Sequence, residues 1–360
     1  MYKIPYKQNL PWMQDRTIFL TRHGSHAYGT NIPESDEDFR GIAIPPKEVL
    51  LGILDKFEQS EYKDPDLVIF ALQKFIGLAA DGNPNAIEIL WTDPEDHLIK
   101  TEVGERLVAA KELFISSRIR YTFGGYAMSQ LKRINSHHKF LRNPLTSPPK
   151  REDFGLNPVA DIVKGQMDAI KAHVDAKMKT WDIDAYIGNG ENDLATRVYL
   201  TQKVEDIISD IGASKDDLWK YAAKSLGYDT NFIALLDKER QFINAQKEWN
   251  NYQHWVSTRN PKRAKLEAKF GFDTKHGMHL VRLMRMCQET LKTGKVFVKR
   301  PDKDELLEIR NGKWTYEQLI DYARKQELIL DNLYNTSSIP RAPNRQAINK
   351  LCINIVESML

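Results

Sequence analysis

One stretch near the start of the chain sets what it can fold into: Leu20-Thr-Arg-His-Gly-Ser-His-Ala-Tyr-Gly-Thr-Asn-Ile-Pro-Glu-Ser-Asp-Glu-Asp-Phe-Arg-Gly-Ile42. Thr17–Leu20 is β-favouring and predicts a short buried strand. Gly24-Ser25 follows directly, predicting a tight turn and then a helix start. Asp36 and Asp38 come eleven and thirteen positions after Ser25, just ahead of the apolar run Ile42–Ile44. The segment therefore reads strand, turn, short helix, acidic pair, strand.

That order suggests phosphoryl or nucleotidyl transfer. Gly24 lacks a Cβ, so backbone N–H groups can approach a phosphate closely, and a helix N-terminus favours an anion. The Ser25 hydroxyl can donate to the same oxygens. Residues two apart in a strand face one way, so Asp36 and Asp38 can project paired carboxylates, while Glu37 points away. Hard oxygen ligands suit Mg²⁺, and two such ions stabilise both attacking and leaving oxygens.

Gly-Ser followed at this distance by Asp-x-Asp resembles the nucleotidyltransferase superfamily typified by DNA polymerase β. More narrowly, Gly24-Ser25-x-Ala27-Tyr28-Gly29 with Ser35-Asp36-x-Asp38-x-Arg40-Gly41 resembles the predicted nucleotidyltransferase family associated with RNA-repair gene clusters. The resemblance implies an α/β (α+β) N-terminal domain with a small mixed sheet. It implies Asp36 and Asp38 as catalytic metal ligands, and Gly24, Ser25 and Arg40 as contacts for the phosphates of a nucleoside triphosphate. A third carboxylate is expected opposite the first pair; Asp66, which opens the apolar run Leu67–Phe70, is the choice, with Asp64 and Glu61 as competitors.

A chain of 360 residues is long for one core, so two domains are expected: residues 1–100 as the transferase domain and 101–360 as a mainly helical domain completing the cleft. The formal charge of +3 is too small for nucleic-acid binding by bulk charge, so any such surface must come from clustering. Cys287 and Cys352 lack metal-ligand spacing, which argues against a disulfide framework and for a reducing cytoplasm. The first residues lack the apolar core of a signal peptide, and the apolar-rich run 67–80 is too short to span a bilayer.

Strands are expected at 17–20, 38–44 and 66–70, with the apolar run 53–57 as a further candidate. Residues 1–16 read as an irregular arm, with Trp12 packing onto the domain. Helices are expected at 71–80 and 85–91, with Asn83 and Asn85 as caps and Glu88 able to hold a basic partner. Further helical spacing marks 102–114, 117–135, 158–179, 192–211, 214–225, 231–259, 304–310, 316–335 and 346–360, and 296–298 suggests a strand. Asp182 and Asp184 repeat the acidic spelling without a preceding Gly-Ser turn and read as surface residues. The basic group Lys132, Arg133, His137, His138, Lys139 and Arg142 extends a possible basic surface, as does Lys295, Lys299 and Arg300.

The stretch Asp273–Gly294 carries an apolar stripe of Leu280, Leu283, Met284, Cys287 and Leu291. Lys275, His279, Arg282 and Glu289 fall on the other face at three- to seven-residue intervals. Lys-His-x-x-His-Leu-x-Arg-Leu also resembles the corresponding helix of the same RNA-repair family, extending the likeness from Thr17 to Gly312. Lys275, His279 and Arg282 are accordingly expected to meet triphosphate oxygens. The whole reading is a Mg²⁺-dependent (Mn²⁺ possible) transferase moving a nucleotide from a nucleoside triphosphate to a hydroxyl, with an RNA (tRNA-like) 3′ end implied as acceptor. Transfer to a protein or small molecule, and a catalytically silent nucleotide or RNA binder, are the alternatives. No membrane partner is expected, and the sequence leaves the oligomeric state open.

Overall fold

The computed structural model describes residues 2–179 and 215–360. Asp182, Asp184 and the helix expected at 192–211 lie outside the described residues. The chain divides into two compact units, one formed by Met1–Gln130 with Thr274–Leu360 and the other by Leu131–Asp273. This division differs from the boundary expected near residue 100. The amphipathic helix Thr274–Thr293 needs a partner for its buried face, and it finds one within the first unit, against helices Lys303–Arg310 and Tyr316–Thr336.

The first unit is built on a mixed five-stranded sheet: β1 (Thr17–His23), β2 (Asp38–Ala43), β3 (Gln59–Lys63), β4 (Asp66–Ala71) and β5 (His97–Lys100). The spatial order is β3-β4-β2-β1-β5. β1 runs antiparallel to β2 and β5, β3 runs antiparallel to β4, and β2 and β4 are parallel. The central strands read as near-continuous apolar runs because both faces are covered, with Ile18, Phe19, Leu20, Ile42, Leu67 and Ile69 all but inaccessible. Met13, Leu20, Phe39, Leu67 and Ile69 share one cluster, and Trp12 and Tyr2 from the leading arm pack against it.

The expected strands at 17–20, 38–44 and 66–70 match β1, β2 and β4, and the helices Leu72–Ala80 and Pro84–Leu90 follow the predicted spacing. Asn83 caps the second of these, accepting from the amides of Asn85 and Ala86. The candidate at 53–57 is irregular instead, with Ile53 and Leu54 fully exposed, and the strand forms at Gln59–Lys63. Val296 and Val298 are buried in an irregular segment rather than a strand.

The second unit is helical. Lys164–Lys179, Lys215–Ser225 and Thr230–Thr258 enclose Ile170, Val174, Ala222, Ala223 and Leu236. Three of the six residues of the basic group near 132–142 are engaged within this unit: His137 stands 3.3 Å from Glu267, His138 Nδ1 lies 2.7 Å from the Gly271 carbonyl, and Lys139 pairs with Glu248 at 2.5 Å. No helix among the described residues is long and apolar enough to cross a membrane.

Candidate functional site

Register brings the acidic residues together. Asp38 and Asp66 open the parallel strands β2 and β4 and are direct partners. On one side Asp38 pairs with His23, the last residue of β1; on the other, Asp66 pairs with Lys63, the last residue of β3. The row Lys63–Asp66–Asp38–His23 therefore crosses one end of the sheet, where the strands stop; Lys63, Asp66 and Asp38 reach solvent and His23 is buried. β4 is an interior strand, so Asp66 sits at a strand end rather than on an edge strand.

Gly24 follows His23 and opens a five-residue helix, Gly24–Tyr28. Its φ is +63°, and a Cβ there would lie 2.1 Å from Asp38 Oδ2. Only glycine both adopts this conformation without strain and leaves room for the carboxylate. Gly29 closes the helix in the left-handed region, and the Thr30 amide donates back to the Ser25 carbonyl at 2.9 Å. A helix this short contributes little macrodipole, so the turn's own amides and the Ser25 hydroxyl are its means of meeting an anion.

A cavity of about 660 Å³ opens over the row. It is lined by Ser25, Asp36, Asp38, Lys63, Asp64, Asp66, Lys275 and Arg310 among others. Of the residues read from the sequence, Ser25, Asp36, Asp38, Asp66 and Lys275 reach this wall, and so does Glu37, expected from strand alternation to point away. Asp64 reaches it too, while Glu61 does not and instead accepts from Gln59 Nε2. Sequence reasoning missed Lys63 and Arg310. Arg310 ends helix Lys303–Arg310 and donates to the Thr30 carbonyl at 3.2 Å, tying down the loop that leads to Asp36. No periodicity or motif marks it in the sequence.

The carboxyls of Asp38 and Asp66 are within hydrogen-bonding reach of each other. Burial and the Asp66 carboxyl push the Asp38 pKa above the usual carboxylate range, while Arg40 and Lys275 pull against that rise. Arg40 Nη1 lies 3.0 Å from Asp66 Oδ1, and Nη2 lies 3.9 Å from Asp38 Oδ1. Arg40, read from the resemblance as a phosphate contact, thus stands as counter-ion to the acidic pair.

Arg282 corrects the reading more sharply. It is buried, its Nη1 donates to Glu88 Oε1 at 2.7 Å, and its guanidinium lies 3.8 Å from the centre of the Tyr28 ring. It therefore lies off the cavity wall, because a buried acid takes the cation that helical spacing had put on a polar face. His279 is half-buried and is not among the cavity-lining residues. Arg300 is buried between Glu289 and Asp302, and Lys299 pairs with Glu95, so that basic group is structural apart from exposed Lys295.

A divalent cation is what such a fold implies. Among the described residues no three His, Cys, Asp or Glu side chains converge on one point, so the triad Asp36–Asp38–Asp66 is not assembled: Asp38 and Asp66 meet, while Asp36 precedes β2 on an exposed loop. Mg²⁺ keeps several waters and is held by one or two carboxylates with substrate phosphates. The adjacent pair fits one such ion.

A small mixed sheet with a Gly-Ser turn abutting an acidic pair is the arrangement that the resemblance to polymerase-β-like nucleotidyltransferases leads one to expect. Residues 6–144 match the profile of RlaP, the RNA repair pathway DNA polymerase beta family, and this part of the chain is similar to that family. The match ends well before helix Thr274–Thr293, so the wider likeness to Gly312 is not covered by it. The chain is also 38% identical over 90 residues to an uncharacterized 38.9 kDa protein from the nrdC–mobD intergenic region of Enterobacteria phage T4. That likeness covers 22% of this chain and spans about a quarter of the relative, 27% of its length. No solved structure matches the chain.

Proposed function

We propose that the protein transfers a nucleoside monophosphate from a nucleoside triphosphate to the 3′ hydroxyl of an RNA. The observation that carries the chemistry is the strand-end pairing of Asp38 with Asp66 directly beneath the Cβ-less Gly24. Asp38 and Asp66 would hold a Mg²⁺ ion, with Asp36 on the adjoining loop as a further oxygen donor. When bound, the ion neutralises charge on the triphosphate and acidifies the attacking hydroxyl.

The chain's own residues do the rest. Ser25 donates to the terminal phosphates, and Lys275 and Arg310 offset charge gathering on the departing pyrophosphate. The acceptor oxygen bonds to the α-phosphorus as the bond to the pyrophosphate oxygen breaks. The hydroxyl proton passes to Asp66, and pyrophosphate leaves.

The acceptor is tested by incubating the protein with each of the four α-³²P nucleoside triphosphates and Mg²⁺ or Mn²⁺, offering mixed RNA and total cell protein together. Label in RNA from one nucleotide supports the proposal and names the base. Label in protein alone replaces RNA with a protein acceptor. Metal-dependent nucleotide binding without product points to a silent binder.

A further inference from the structure

The most deeply buried acid of the first unit lies away from the cavity. Glu88, in helix Pro84–Leu90, is fully inaccessible, and none of its partners is among the cavity-lining residues. Arg282 donates to one carboxylate oxygen at 2.7 Å. The Tyr28 hydroxyl donates to the other at 2.5 Å, and His23 Nε2 stands 3.5 Å from that same atom. The Arg282 guanidinium stacks on Tyr28, and the Arg300 amide donates to the Tyr28 carbonyl at 3.0 Å.

Such a cluster is a poor way to gain stability, since a buried ion pair is commonly matched by apolar residues of the same volume. Its partners suggest another use. His23 and Tyr28 bracket the turn that carries Gly24 and Ser25. Arg282 lies seven residues after Lys275 on one helix, two turns or roughly 10 Å along its axis. One carboxylate thus ties the turn bearing Ser25 to the helix bearing Lys275, and these two residues line the same cavity.

We infer that Glu88 and Arg282 are positioning residues that hold Ser25 and Lys275 at a fixed separation and so set the affinity of the cavity for a polyphosphate. The ligand rests on the nucleotidyl-transfer reading; the positioning does not. Arginine is needed at 282 because its planar fork meets the carboxylate while its face covers the Tyr28 ring; lysine keeps the charge and loses the second contact.

The test uses Arg282→Lys, Glu88→Gln and the paired Glu88→Gln/Arg282→Met, each studied at a temperature where circular dichroism shows it folded. Binding of inorganic pyrophosphate and tripolyphosphate with Mg²⁺ is measured by calorimetry, and amide exchange over residues 24–30 by mass spectrometry. The expected result is at least tenfold weaker binding in all three, with faster exchange confined to 24–30. The paired variant should regain thermal stability over Glu88→Gln, because no charge is left unpaired, yet still bind weakly. Affinity that recovers with stability in the paired variant, or unchanged exchange at 24–30 in Arg282→Lys, overturns the inference. Should the wild-type protein bind neither polyphosphate, the reading of the cavity fails, and the exchange result alone decides the positioning.

Discussion

Replacing Gly24 by alanine separates backbone strain from damage to the acidic pair. At φ +63° an L-residue costs about 1–2 kcal/mol. The new methyl would stand 2.1 Å from Asp38 Oδ2 and 2.9 Å from its Cγ. Carbon–oxygen contacts rarely close below about 3.3 Å, so the carboxylate must retreat by roughly 1 Å. Asp38 is only half-buried and can turn toward the cavity, so the loss of stability stays near the strain cost, about 1–2 kcal/mol. Turnover suffers more, because a displacement of about 1 Å at the reacting centre costs on the order of 10²-fold. Gly77→Ala is the control: that glycine is exposed within helix Leu72–Ala80, and a Cβ there meets nothing within 4 Å. It should gain about 0.5–1 kcal/mol with unchanged activity. Thermal unfolding and label transfer from an α-labelled nucleoside triphosphate measure both. Gly24→Ala turning over within about threefold of the wild type would refute the reasoning.

Burial holds the His23 pKa down at about 4, against an ordinary 6.5. The unfolded chain binds that proton more readily, so stability present above pH 6.5 is lost as the pH falls toward 4, by about 3 kcal/mol in full. Denaturant unfolding of His23→Gln across this window should lack that part of the slope. Glu88→Ala leaves Arg282 buried without its acid and should cost about 3–5 kcal/mol in the same assay. Asp66→Asn should lower label transfer by about 10³-fold, whereas Asp64→Asn, outside the register row, should stay within about tenfold.

The parts of this fold that announced themselves are those whose sequence and burial agree. β1, β2 and β4 are covered on both faces and read as apolar runs, and Gly24, Asp38 and Asp66 stand at their ends where a motif can be recognised. β3 was hidden because Gln59–Lys63 is a polar strand at the sheet's edge, with only Ser60 buried. The exposed apolar run at 53–57 drew the prediction to the wrong place. Arg282 misled for a related reason: its spacing from Lys275 and His279 looks like a solvated stripe, and its partner Glu88 lies 194 residues upstream. Glu88 itself was legible only as an acid in want of a basic partner. Arg310 reaches the cavity through a return of the chain that no local pattern records, and the same return draws Thr274–Leu360 into the first unit.

The central claim is that the Asp38–Asp66 pair carries nucleotidyl transfer. Its most direct test compares the wild type with Asp38→Asn/Asp66→Asn in label transfer from α-³²P nucleoside triphosphates with Mg²⁺, alongside thermal unfolding of both. The asparagines preserve shape and remove two neighbouring acids, so the account predicts an undiminished melting temperature and product lowered by at least about 10³-fold. Equal product from both proteins would contradict it.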